Sequence, residues 1–268
     1  MKNKLFISIV ACFLIVQASS CRKERRDTLG SSISTDNSTA ENMFSDMFKV
    51  VDDVSSNTAG IREENIGCID TLIVDTLSNP KTILIDFGDD ACAGNDGRTR
   101  TGILHITYTG RYREPGTVIT ITPENYRVNN HLVEGQKTIA NMGFNANGQL
   151  YYTITANGTV TEPSNAWTIS WSANRTRTWV EGQDTPSRLD DVYEITGGST
   201  GVNRNGVNYT STITAPLRAE FTCAWIVSGQ VTIEPEDYAT RYIDFGNGEC
   251  NNGFTVTVNG ETYQLGSD

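Results

Sequence analysis

From Leu72 to the C-terminus, short runs of alternating apolar and polar residues are broken by turn residues, and this pattern restricts the fold more than any other feature. Alternation at period two belongs to strands with one buried face. The runs cover 72–74, 82–87, 103–109, 117–122, 126–128, 131–133, 138–142, 149–156, 166–172, 176–181, 192–196, 208–214, 218–227, 230–233, 242–245, 254–258 and 262–265. The links between them are too short for the crossovers that parallel strands require, so neighbouring strands should run antiparallel. Pro115-Gly116 marks one turn, and Asn129-Asn130 can supply the positive φ of a tight hairpin. Asn157-Gly158 predicts a further hairpin, between 151–155 and Val160. The expected fold class is all-β: an antiparallel meander or sandwich-like body over 61–268 with one N-terminal helix. No shift in composition divides that body.

One phrase occurs twice. Ile85-Asp86-Phe87-Gly88-Asp89-Asp90-Ala91-Cys92 returns as Ile243-Asp244-Phe245-Gly246-Asn247-Gly248-Glu249-Cys250. Each copy ends on a cysteine, has another upstream (Cys68 and Cys223), and leads through a polar stretch into an alternating strand. The repeat predicts related stapled units at about 68–109 and 223–265. It pairs Cys68 with Cys92 and Cys223 with Cys250, as suits an oxidising compartment. Closing each loop is worth about 3–4 kcal/mol in the chain-entropy account. A four-cysteine zinc site is disfavoured, because no short Cys-x-x-Cys spacing occurs. The Asp-Phe-Gly-Asp run is also similar to a phrase of polycystic-kidney-disease-type domains, a resemblance that implies a β-sandwich.

The first residues have the layout of an export signal. Lys2 and Lys4 precede an apolar run over 5–16, too short to span a bilayer, and Ala18-Ser19-Ser20 are small residues before Cys21. The segment 1–20 with Cys21 resembles a bacterial lipoprotein signal, in the looser form found in Bacteroidota. That resemblance implies cleavage before Cys21, lipid on its thiol, and attachment to the outer membrane on either its cell-surface or its periplasmic face. Acyl chains add about 0.8 kcal/mol of membrane affinity per buried CH₂. Residues 21–37 are polar and read as a flexible tether. Residues 38–56 predict an amphipathic helix. Ser38 and Glu41 suit a capping box, and Phe44, Met47, Phe48, Val51 and Val54 form an apolar stripe that should pack on the body.

The net charge is −11, which repels nucleic acid and excludes it as a partner. Two histidines, His105 and His131, are present, and no Gly-x-Ser-x-Gly, His-Glu-x-x-His or phosphate-cradling phrase occurs. The leading expectation is a membrane-anchored, non-catalytic binding or structural module of the cell envelope, with a glycan or an envelope protein as partner. The first alternative is glycan capture. Trp167 and Trp171 share one face of a strand and Trp179 follows; exposed, they would stack on sugar rings, whereas buried they would be core. The second is a glycan hydrolase using two carboxylates, which leaves no local motif. Asp86, Asp89, Asp90 and Asp96, with Asp244, Asn247 and Glu249 in the second copy, offer oxygen ligands for calcium as a candidate cofactor. The same residue types build ordinary tight turns. Asp-Thr-Leu occurs three times and matches the short O-glycosylation motif of Bacteroidota, which marks Thr28, Thr71 and Thr76.

Overall fold

The computed structural model describes residues 32–56, 68–187, 189–223 and 225–265. The signal segment, Cys21 and Thr28 lie outside them. One helix, α1 (Ser32–Ser56), precedes fourteen strands: β1 (Thr71–Asp75), β2 (Lys81–Asp86), β3 (Cys92–Ala93), β4 (Thr99–Tyr108), β5 (Val118–Val128), β6 (His131–Phe144), β7 (Leu150–Thr161), β8 (Thr168–Glu181), β9 (Val192–Val202), β10 (Asn208–Glu220), β11 (Ile226–Pro235), β12 (Arg241–Asn247), β13 (Phe254–Val258) and β14 (Glu261–Leu265). All lie in a single antiparallel sheet in chain order, except that β3 pairs only with β4. The all-β class therefore holds, and the sheet is a meander.

Several strands are longer than the alternation predicts. The runs 131–133 and 138–142 fuse into β6, and 166–172 and 176–181 into β8. The hairpin at Asn157-Gly158 does not form. Both residues sit inside β7, opposite Gln136 and Gly135 on one side and Ser172 and Trp171 on the other. What Gly158 supplies is its missing side chain. A Cβ there would lie 1.9 Å from the Glu134 carbonyl oxygen and 2.8 Å from Cζ of Phe44. The run 218–227 is likewise interrupted, since β10 ends at Glu220 and β11 begins at Ile226. The Asn129-Asn130 turn does form, with φ of 48° and 65°.

The repeated phrase plays the same local part in both copies. Ile85 and Phe87 are buried, and their counterparts Ile243 and Phe245 are half-buried against the same core. Asp86 and Asp244 each accept a hydrogen bond from the amide two residues on, at Gly88 and Gly246, at 2.8 Å in both cases. Those glycines take φ of 74° and 87°, which an L side chain resists. Disulfides join Cys68 to Cys92 and Cys223 to Cys250, with Cα atoms 5.7 and 5.8 Å apart. Successive strands alternate in direction, so the two staples sit at opposite flanks and opposite ends of the sheet.

The core is one cluster, formed where the inner face of the sheet from β2 to β11 meets α1. Ile33, Ala40, Phe44, Met47, Val50 and Val51 are buried there, while Thr35, Ser38, Asn42, Ser45 and Lys49 face outward. Phe48 is half-buried, its ring 5.7 Å from that of Tyr112. The side chain of Val54 lies outside the described residues. The helix begins at Ser32, not Ser38, so the end of the expected tether is helical. The expected capping box is replaced by other contacts: Ser38 Oγ accepts from Asn42, and Glu41 pairs with Arg175.

Candidate functional site

Helix α1 lies across the strands, and buried polar groups fix it there. Asp36, fully buried, accepts hydrogen bonds from the amide and guanidinium of Arg204, in the β9–β10 turn. Asn37 accepts from the Trp171 indole on β8 and Ser199 on β9. Glu41 meets Arg175 on β8 at 2.7 Å. Lys137, on β6, donates to the Phe44 carbonyl at 3.0 Å. Asp46 then takes Arg98 at 2.8 Å, Arg100 at 2.6 and 3.0 Å, and the Tyr126 hydroxyl at 2.8 Å. Arg100 is 2 % exposed and also holds Asp96. Burial alone would raise the Asp96 carboxyl. The bonds and charge of Arg100, with the Arg98 amide and Lys49, outweigh burial and hold it well below the usual carboxylate range.

Lys137 is fully enclosed and carries its charge at a cost. Burial pushes its ammonium down to about 8; the charge of Glu41 opposes the shift and that of Arg177 adds to it. The unfolded chain keeps this proton up to about pH 10.5. Between these values unfolding takes up a proton, so stability should rise with pH. Burial raises the hydroxyls of Tyr126, Tyr152 and Tyr209, so above about pH 10 the folded state is the one that keeps protons and stability should fall again. Lys137→Met is expected to melt higher than wild type at pH 7 and to lose the rise between pH 8 and 10. Thermal melts across that range check both.

The tryptophans form no exposed platform. Trp171 is 5 % exposed, stacked on Phe44 with centroids 5.2 Å apart; Trp179 is 1 % exposed, against Tyr193 and under Arg113. Trp167 is half-buried beneath Arg204. Their period-two spacing is core spacing, because the helix covers that face. Trp225, beside Cys223, is exposed.

The calcium candidates are dispersed. Asp96 is engaged with Arg100 and Lys49, and Asp86 and Asp244 cap glycine amides. Asp86, Asp89 and Asp90 do line one groove of about 670 Å³, with Asp70 and Glu124. Glu124 meets His105 at 2.6 Å. Asp89, Asp90, Asn247 and Glu249 are exposed or lie in turns. Among the described residues, no three His, Cys, Asp or Glu side chains converge as a metal site. Thr71 is exposed on the edge strand β1 and Thr76 in the following loop.

A second groove, of about 750 Å³, crosses the outer face of β7 to β11. Hydroxyls and amides line it, among them Ser172, Thr200, Thr210 and Asn208, and Glu234 and Glu236 close one end. Asn208 donates to Glu236 at 2.8 Å. Sequence reasoning missed this groove, since its residues come from five strands. It also missed the clasp around Asp46, for which a signal exists: an aspartate among Met43, Phe44, Met47 and Val50, inside the apolar stripe. No helix among the described residues is long and apolar enough to cross a membrane. No protein-family model, curated protein or solved structure matches the chain.

Proposed function

We propose that the protein is a lipid-anchored module of the outer cell envelope that binds or scaffolds without catalysis. The observation that carries this reading is the export-signal layout that ends in Ala18-Ser19-Ser20 before Cys21. α1 starts at one end of the sheet, where Asp36 is held by Arg204. Even fully extended, the link from Cys21 to Ser32 reaches at most about 40 Å. An anchor at Cys21 therefore keeps that end of the body within about 40 Å of the bilayer. The engagement of Asp36, Asp46 and Arg100 in docking the helix supports a structural role for these buried charges. Labelling cells with radioactive palmitate tests the anchor. Wild type should carry label that Cys21→Ser abolishes; an unlabelled wild type would end the reading. Protease shaving of intact cells then separates the cell-surface from the periplasmic face.

Glycan capture is the second reading, favoured by the hydroxyl- and amide-lined groove across β7 to β11 and no longer by the tryptophans. Calorimetric titration with soluble oligosaccharides should give heat that Thr200→Arg removes. The absence of heat from a panel of neutral and amino-sugar oligomers at millimolar concentration would dismiss it.

A further inference from the structure

The sheet is open, with β1 as one edge strand and β14 as the other. Backbone parity fixes which groups β1 offers. The Phe87 amide donates to Gly102 on the β4 side, whereas the Asp86 carbonyl accepts from Asp70 on the β1 side. Asp86, Leu84 and Thr82 therefore turn their peptide groups to β1, where they meet Thr71, Ile73 and Asp75. Leu72 and Val74 are left with amides and carbonyls directed at the open edge. Their side chains lie half-buried against the core, and that of Ile73 stands on the other face, 56 % exposed. Edge strands are commonly guarded by lysine, proline, a bulge or a covering element. β1 holds no lysine or proline, its pairing with β2 has no register shift, and no described strand lies beyond it. Its one charged residue, Asp75, is turned into the following loop, where it accepts from the amides of Leu77 and Ser78.

We propose that β1 pairs antiparallel with β1 of a second copy of this chain, about a twofold axis at Ile73. The strand Thr71-Leu72-Ile73-Val74-Asp75 is self-complementary in that register. The axis sets Leu72 opposite Val74 of the second copy, and Val74 opposite its Leu72. The free amides and carbonyls then close four hydrogen bonds, and the two apolar pairs extend the core across the join. Ile73 meets its own counterpart in the closely spaced, non-hydrogen-bonded position, which covers the exposed side chain. Thr71 faces Asp75, a hydroxyl against a carboxylate, and no like charges are opposed. This self-complementarity selects a second copy over an unrelated strand, and an isologous pairing of this kind closes at two copies. The other edge fits less well. β14 paired with itself about Tyr263 would set the Glu261 carboxylate against Leu265, and β14 on β1 would build an open head-to-tail array. Nothing in the pairing depends on the lipid anchor.

The contact is short, so association should be weak and concentration-dependent. Disulfide cross-linking of the full chain reads it directly, because the non-hydrogen-bonded position brings Cα atoms to about 4.5 Å, within reach of a disulfide. Ile73→Cys should give a linked dimer under mild oxidation. Thr71→Cys should not link to itself, since the twofold puts it opposite Asp75, and neither should Tyr242→Cys, as exposed as Ile73 but on β12. In sedimentation, Ile73→Lys and Ile73→Glu should each weaken dimerisation at least tenfold by opposing like charges, and an equal mixture of the two should recover it. Both variants should keep the monomer's melting curve, since the Ile73 side chain is more than half in solvent. Four results would overturn the proposal: a chain that stays monomeric at every concentration, cross-links as strong from Thr71→Cys or Tyr242→Cys, a mixture that dimerises no better than either variant alone, or a ladder of larger oligomers. The last would assign the join to β14 on β1.

Discussion

Asp46→Ala should lower the free energy of unfolding by about 3–5 kcal/mol, the usual cost of removing one partner from a buried ion pair. Asp46 is 1 % exposed and accepts from Arg98, Arg100 and Tyr126. Without it Arg100 keeps Asp96 as its carboxylate partner, and the buried Tyr126 hydroxyl loses the carboxylate it donates to. The loss should be concentrated at α1, because the sheet's own hydrogen-bond ladders do not depend on this contact. Urea unfolding measures the first expectation, and faster proteolysis within 32–56 measures the second. A loss below about 1 kcal/mol would mean that Asp96 alone satisfies the guanidinium. Asp46→Asn should fall between the two, since it keeps an acceptor but removes the charge.

The two disulfides should each contribute about 3–4 kcal/mol, given sequence separations of 24 and 27. Cys92→Ser and Cys250→Ser should therefore destabilise by similar amounts. The double variant should show nearly the sum, because the staples occupy opposite corners and share no partners. Hydrogen exchange gives the spatial check. Cys92→Ser should loosen the neighbourhood of β1 to β4 and Cys250→Ser that of β11 to β13. A loss of protection that spreads across the whole sheet from either single variant would show that the staples act on one cooperative unit.

The contrast between sequence and structure is sharpest at the glycines and at the start of the helix. Asn157-Gly158 has the composition of a hairpin, yet its glycine is needed under Phe44, a contact made by residues far apart in the chain. Period-two reasoning also broke β6 and β8 at 134–137 and 173–175, where small or polar residues interrupt the alternation. The ladders on both sides hold such residues in line. Residues 32–37 are poor helix formers with no apolar stripe of their own. They are helical because Ile33 is buried and Asp36 and Asn37 meet Arg204, Trp171 and Ser199, and tertiary contacts of this kind override propensities of under 1 kcal/mol per residue.

The all-β antiparallel class, the cysteine pairing, the Asn129-Asn130 turn and the apolar stripe of α1 were determined by the sequence alone. Each follows from a period, a spacing or a backbone preference within a few neighbouring residues, or from a phrase that repeats. Only the tertiary structure decided which face α1 covers. That choice turned Trp171 and Trp179 from candidate sugar platforms into core. It also brought Asp46 to Arg100 and laid the residues of five strands along one outer groove. The physical reason is that burial and charge pairing between distant strands depend on the register and curvature of the whole sheet, which no local pattern encodes.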